Sequence, residues 1–197
     1  EKRKTLSIDE VNFLSDKILE KFILQFNVSE NQNVHVFLPI SKLNEINTFS
    51  FIKKLWEMKI NVFVPRIHQN KIISVKFTPQ TLLKENSWGI LEPVSSTNEE
   101  NTFDYIITPL LYCDKNGNRI GYGKGFYDQF FKTINAEAKK IGVNYFPPID
   151  MIDDVSENDV QLDYLVAPDE ILSFFFRNIY FYKIELKFIF EFYWFSL

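Results

Sequence analysis

Residues 34–65 read "VHVFLPISKLNEINTFSFIKKLWEMKINVFVP". Two short apolar runs in this stretch, "VHVFLP" at 34–39 and "INVFVP" at 60–65, share one pattern, and each ends on proline. Runs this short, bounded by a breaker, predict buried strands. Between them Thr48 is a candidate N-cap, and Phe51, Ile52, Leu55, Trp56 and Lys59 follow along one helical face. Strand, helix, strand in this rhythm predicts a right-handed parallel crossover, the unit of an α/β fold.

The flanking sequence extends the alternation. Upstream, "SIDE" at 7–10 reads as a capping box, and Val11, Leu14, Ile18, Phe22 and Phe26 keep helical spacing up to Asn27. Downstream, "KIISVKF" at 71–77 predicts a strand, "SWGILEP" at 87–93 a loop, and "VSSTNEENT" at 94–102 an exposed loop. "FDYIITPLLYCD" at 103–114 predicts one long apolar strand that ends in a turn at "DKNGN". A helix is expected near Gly125, with Tyr127, Phe130, Phe131 and Ile134 on one face. "KIGVNYF" at 140–146 and "DYLVAP" at 163–168 predict two more strands. No repeat or low-complexity tract marks a second domain. The expectation is one Rossmann-like three-layer α/β domain over residues 1–173, its mostly parallel central sheet flanked by helices.

Residues 174–197 form an aromatic-rich extension with no independent domain. In it Ile184, Leu186, Phe188 and Phe190 alternate with Lys183, Glu185 and Lys187, the pattern of a half-buried strand or of a partner-binding or swapped segment. Arg177, Lys183, Glu185, Lys187 and Glu191 are too many charges for a bilayer span.

The 197 residues are 46% hydrophobic and 24% charged, ordinary for a globular chain. A formal net charge of -4 argues against nucleic acid as the main partner. Cys113 is the one cysteine, which excludes an internal disulfide and a Cys-rich zinc site. With no apolar signal region at the start, a cytoplasmic protein is expected. His35 falls in a predicted buried strand and reads as a core histidine, and His68 reads as a loop residue. Neither supports a nucleophile–base triad.

The chemistry concentrates in "NRIGYGKGFYD" at 118–128, where Gly121, Gly123 and Gly125 are three of the six glycines in the chain. Strand, glycine loop and helix together form a phosphate-holding device, because backbone N–H groups approach the anion closely. On glycines alone, a tight turn is an equal reading. Arg119, Lys124 and Asp128 tip the choice. Two cations suit phosphate oxygens, and a carboxylate beside them requires an intervening cation such as Mg²⁺. The spacing is neither the dinucleotide fingerprint nor the Walker A loop.

The same string resembles the signature of the 5-formyltetrahydrofolate cyclo-ligase (methenyltetrahydrofolate synthetase) family. "LNEINT" at 43–48, "VPRI" at 64–67, "SWGILEP", "YIITPLLYCDKNGNRIGYG" and "ENDVQLDYLV" at 157–166 resemble family segments in the same order. Together they cover roughly residues 2–172. The resemblance implies an enzyme that uses ATP and Mg²⁺ to convert 5-formyltetrahydrofolate to 5,10-methenyltetrahydrofolate. It implies that Arg119 and Lys124 act in catalysis. It implies that Arg119, Ile120, Gly121, Tyr122, Gly123, Lys124, Gly125, Phe126 and Tyr127 hold ATP. It implies Asp128 and Asp159 as Mg²⁺ ligands. Glu45 would grip the pterin, and Leu38, Trp88, Tyr122 and Phe126, with the backbone and side chain of 123–125, would line the folate pocket.

Phe126 stands where the family often has Tyr. The family also carries basic residues that reach ATP phosphates on the first helix. This sequence starts at Glu1, and Lys2, Arg3 and Lys4 fall at the end of that region. Other readings are a non-catalytic nucleotide- or folate-binding paralogue and an interaction protein that uses its aromatic tail. The expected partner is a small-molecule folate, with no nucleic acid or membrane. The expected assembly is a monomer, or a dimer through the tail.

Overall fold

The computed structural model describes residues 2–95 and 99–175. The tail reading therefore lies outside the described residues beyond Phe175, as do positions 96–98 of the predicted loop.

Helix α1 (Ile8–Phe26) begins as its sequence predicts: Glu10 N–H donates to Ser7 Oγ at 3.3 Å, and Ser7 N–H donates to Glu10 Oε2 at 2.8 Å. It ends at Asn27 in the left-handed conformation, which Asn tolerates better than most residues. Strand β1 (Asn33–Val36) and strand β2 (Asn61–His68) pair in parallel across helix α2 (Phe49–Glu57). Thr48 sits at the head of α2 but does not cap it. Its buried hydroxyl donates to the Phe37 carbonyl at 2.7 Å and ties the helix to the end of β1.

Two prolines act differently from expectation. Pro65 does not end β2. The strand runs on to His68, pairing antiparallel with β3 (Lys71–Lys76), while β1 pairs only as far as Phe63. The missing N–H therefore falls past the end of the β1 ladder. Pro109, in contrast, divides the predicted long strand into β6 (Tyr105–Thr108) and β7 (Tyr112–Cys113). The segment "SWGILEP" is likewise only partly loop. Leu91–Pro93 (β5) pairs with Leu83–Glu85 (β4), and Asn86 Oδ1 organises the turn by accepting the N–H groups of Trp88 and Ile90.

Strand β8 (Arg119–Ile120) forms a hairpin with β7, and helix α3 (Phe126–Phe131) follows the glycine loop. Strands β9 (Lys139–Val143) and β10 (Tyr164–Val166) complete the parallel set. Strand β11 (Ile171–Ser173), which has no clear signal in the sequence, adds an antiparallel edge.

The central sheet has seven strands in the order β11-β10-β9-β6-β1-β2-β3. The strands from β10 to β2 run parallel, and only the two edges are antiparallel. Alternate residues point to opposite faces. Val34, Val36, Val62, Val64, Tyr105 and Ile107 pack with α1 and α2 in one cluster, whereas Phe63 and Ile106 pack with Phe130 and Phe131 of α3 in another. Chain order reverses at β1, with β2 on one side and β6 on the other. Open α/β sheets bind ligands beyond the carboxyl ends of the strands at such a reversal.

Candidate functional site

The carboxyl ends of β1 and β6 open onto a small cleft lined by Arg3, Phe37, Glu45, Ile46, Pro109, Leu110, Val143, Asn144 and Tyr145. Glu45 is its buried acid, 5% exposed. Oε2 accepts the Ile40 N–H at 2.7 Å, and Oε1 accepts the Tyr122 hydroxyl at 2.6 Å. The Tyr122 oxygen in turn accepts from Arg3 Nη2 at 2.9 Å. Burial pushes the Glu45 carboxyl above its ordinary range, against the pull of Tyr122, Ile40 and Arg3. The Tyr122 phenol is pushed up to about 12, by burial first and then by the Glu45 charge and hydrogen bond. Tyr122 therefore stays a neutral donor to Glu45.

Local sequence explains this placement. Asn44, left-handed at φ 49, donates through Nδ2 to the carbonyls of Arg3 and Leu6 at 3.1 and 2.9 Å. That clamps the basic N-terminal turn (Lys2–Thr5) beside Glu45. The turn at Ser41–Leu43 also brings Lys42 over Gly89, 2.5 Å from where a Cβ would stand, so the β4–β5 hairpin borders the same region.

The glycine loop is exposed throughout 121–125. Gly123 and Gly125 have φ of +76 and +64, and a Cβ at 121, 123 or 125 would meet nothing within 4 Å. No neighbouring protein atom requires glycine at these positions, and the open space above the loop suits a ligand that approaches the backbone. Lys124 is exposed, with no hydrogen-bond or ion-pair partner among the described residues. Ile120 is exposed, and Tyr122 is 47% exposed despite its bond to Glu45.

Trp88 is 47% exposed and faces Phe126, with ring centroids 5.8 Å apart. Leu38 is buried in the core beyond β1, as is Phe37. Tyr127 turns inward: its hydroxyl lies 3.4 Å from His35 Nε2, and burial pushes its pKa far upward. His35 is fully buried against Ser74 Oγ at 2.7 Å, and burial pushes it down to about 3. It is neutral, as a core histidine should be.

The two acids expected at a metal are linked through the backbone of Val160. Asp128 Oδ1 accepts the Val160 N–H at 2.9 Å, and Asp159 is the preceding residue. Asp159 itself is exposed, and its Oδ2 accepts the Ser156 N–H at 2.8 Å. Arg119, expected at the phosphates, pairs inward with Asp128 Oδ1 at 2.7 Å. Among the described residues no three His, Cys, Asp or Glu side chains cluster as a metal cage.

Sequence reasoning missed Asn144 and Tyr145, which follow β9, and Pro109 and Leu110, which follow β6. They reach the cleft only through the strand order, which no local pattern encodes.

Sheet order and site define a mixed α/β protein with its cleft at the carboxyl ends of the central parallel strands, where Glu45 is bonded to Tyr122 of the glycine loop. The chain belongs to the 5-formyltetrahydrofolate cyclo-ligase family, whose match covers residues 1–168. It is 35% identical over 125 residues to a 5-formyltetrahydrofolate cyclo-ligase of Haemophilus influenzae, covering 60% of this chain and 67% of that one. It is 30% identical over 184 residues to a probable 5-formyltetrahydrofolate cyclo-ligase of Caenorhabditis elegans, covering 86% and 88%. Among solved structures, a 5,10-methenyltetrahydrofolate synthetase from Mycoplasma pneumoniae superposes with TM-score 0.65 at 25% identity, covering 84% of this chain and 91% of that chain. The Aquifex aeolicus 5,10-methenyltetrahydrofolate synthetase gives TM-score 0.68 at 26% identity, covering 88% and 87%.

Proposed function

We propose that this protein catalyses the ATP- and Mg²⁺-dependent conversion of 5-formyltetrahydrofolate to 5,10-methenyltetrahydrofolate, releasing ADP and phosphate. The observation that carries the reading is the 2.6 Å bond from Tyr122 of the glycine loop to the buried Glu45. It joins a phosphate-handling loop to a carboxylate suited to a pterin in one site. Family membership supports the catalytic reading over a binding-only paralogue.

The formyl oxygen of the substrate attacks the γ-phosphate, ADP leaves, N10 attacks the activated carbon and releases its proton to solvent, and phosphate departs as the ring closes. Such a reaction asks for positioning and charge neutralisation rather than a covalent nucleophile. Lys124, exposed on the loop, meets the charge on the transferring group. The 121–125 backbone presents its N–H groups to phosphate oxygens. Glu45 keeps unused lone pairs on both oxygens and accepts the pterin amino and ring N–H groups. Trp88 and Phe126 offer an aromatic wall for the folate, while Leu38 supports the site from the core.

The donor set fits Mg²⁺. Both contacts to Asp128 fall on Oδ1, which leaves Oδ2 for a cation. Mg²⁺ is commonly held by one or two carboxylates plus phosphate oxygens rather than by a protein cage. When bound, the ion would neutralise phosphate charge; Asp128, with Asp159 beside it, would hold it. The helices on both sheet faces support a Rossmann-like three-layer assignment for residues 1–173. We assign the reaction to cytoplasmic one-carbon metabolism.

The test is to mix the full chain with ATP, Mg²⁺ and 5-formyltetrahydrofolate and follow methenyl absorbance. Product is expected, and none from folded protein overturns the proposal.

A further inference from the structure

Arg119 heads the glycine loop, where a guanidinium facing phosphate oxygens would be expected. It faces the interior instead. Its side chain is 7% exposed, Nη2 donates to Asp128 Oδ1 at 2.7 Å, and Nη1 donates to the Val160 carbonyl. The Phe131 ring covers it, with Cζ 4.8 Å from the ring centroid. The Val160 N–H returns to the same Asp128 Oδ1 at 2.9 Å. One guanidinium and one carboxylate thus grip both backbone groups of Val160, and join β8, α3 and the segment that carries Asp159.

From this geometry we infer that Arg119 is a positioning residue for Asp128 and Asp159 and does not itself bind phosphate. The inference rests on the proposed Mg²⁺ role of Asp128. Both donors load Oδ1, so they fix the direction of Oδ2. The Arg119 charge opposes a cation at Asp128; what the side chain supplies is orientation. A planar fork held by two acceptors beneath a ring is already committed, and removing it would strand a shielded carboxylate. The exposed cation of the loop is Lys124. The two basic residues therefore divide the work: Lys124 meets phosphate, and Arg119 sets the metal side.

A non-hydrolysable ATP analogue separates these roles by calorimetry on the full chain, with Mg²⁺ and with EDTA. Arg119→Lys keeps the charge but cannot span both acceptors. It should weaken binding about 10-fold in Mg²⁺, the usual effect of losing a residue that orients a metal ligand, and leave binding in EDTA unchanged. In an Asp128→Asn background, Arg119→Lys should add nothing. If Arg119→Lys is unfolded by circular dichroism, Phe131→Leu, which uncovers the guanidinium, makes the same comparison. Equal weakening with and without Mg²⁺ identifies a direct phosphate ligand and overturns the inference. Wild-type binding that is indifferent to Mg²⁺ overturns the proposed metal role of Asp128 instead, and the inference with it.

Discussion

Two neighbouring loops, 114–118 and 121–125, are both short and glycine-bearing, yet they are built in opposite ways. In the first, Asp114 is wholly buried and accepts four hydrogen bonds, from the N–H groups of Asn116, Asn118 and Ile152 and from Asn118 Nδ2. Gly117 has φ +87, and a Cβ there would stand 2.8 Å from the Phe174 ring and 2.9 Å from the Leu162 carbonyl. In the second, nothing lies within 4 Å of a Cβ at any of the three glycines, and Lys124 is exposed. A glycine pressed by its own protein serves the fold. A glycine facing open space leaves its backbone accessible, whatever its own φ requires.

The sharpest way to break this contrast is Lys124→Ala. Loss of a cation aimed at transition-state charge should lower turnover roughly 100- to 1,000-fold, about 3–4 kcal/mol, with the urea midpoint unchanged. Near-normal turnover would remove Lys124 from the chemistry. Next comes Gly117→Ala. Left-handed strain plus the close contacts should reduce stability by about 2–3 kcal/mol in urea titrations. Gly121→Ala is the comparison free of both strain and contact, since the loop's positive φ values fall at Gly123 and Gly125. It should leave the urea midpoint in place and raise the KM for ATP. If the two alanines behave alike, space above the glycine does not distinguish fold from function.

Much of this contrast is legible in the sequence, and some is not. The capping box at Ser7, the parallel pair around 34–65 and the glycine loop are local patterns, and the structure keeps them. Glu45 and the loop could be paired only through the family resemblance, because 77 positions separate Glu45 from Tyr122 and the contact depends on strand order. Arg119 shows the limit most clearly. Its type and place suit phosphate, but an acid nine positions later and a distant carbonyl compete for the same fork. Which partner wins is a matter of tertiary burial. Pro65 and Pro109 make the same point for strands, since a missing N–H matters only where a neighbouring strand needs it.

The two buried acids carry the contrast into pH dependence. Burial works to raise the Asp114 carboxyl, but Asn118, Asn116 and Ile152 outweigh it and hold the group below its ordinary 3.8. Its contribution is therefore complete above 3.8 and is lost as pH falls through the lower folded value. Asp114→Asn should cost about 2 kcal/mol at neutral pH, since buried N–H groups lose an acceptor, and should flatten the acid end of the stability profile.

Glu45 runs the other way, and its expected effect on stability is the smallest. Burial raises its carboxyl above the ordinary 4.5. Above the folded value the acid is charged in both states, and the cost of burying that charge is complete. As pH falls through the folded value toward 4.5, the folded state takes up the proton first, so this group's share of stability rises. Urea titrations of wild type and Glu45→Gln, from neutral pH down to 4.5, isolate that share as the difference between the two curves. The variant should gain on wild type at neutral pH and lose that advantage toward 4.5, while it weakens substrate binding throughout. A constant difference would mean that Tyr122, Ile40 and Arg3 already compensate the charge. Glu45 would then be a structural acid like Asp114 rather than one kept costly for a ligand.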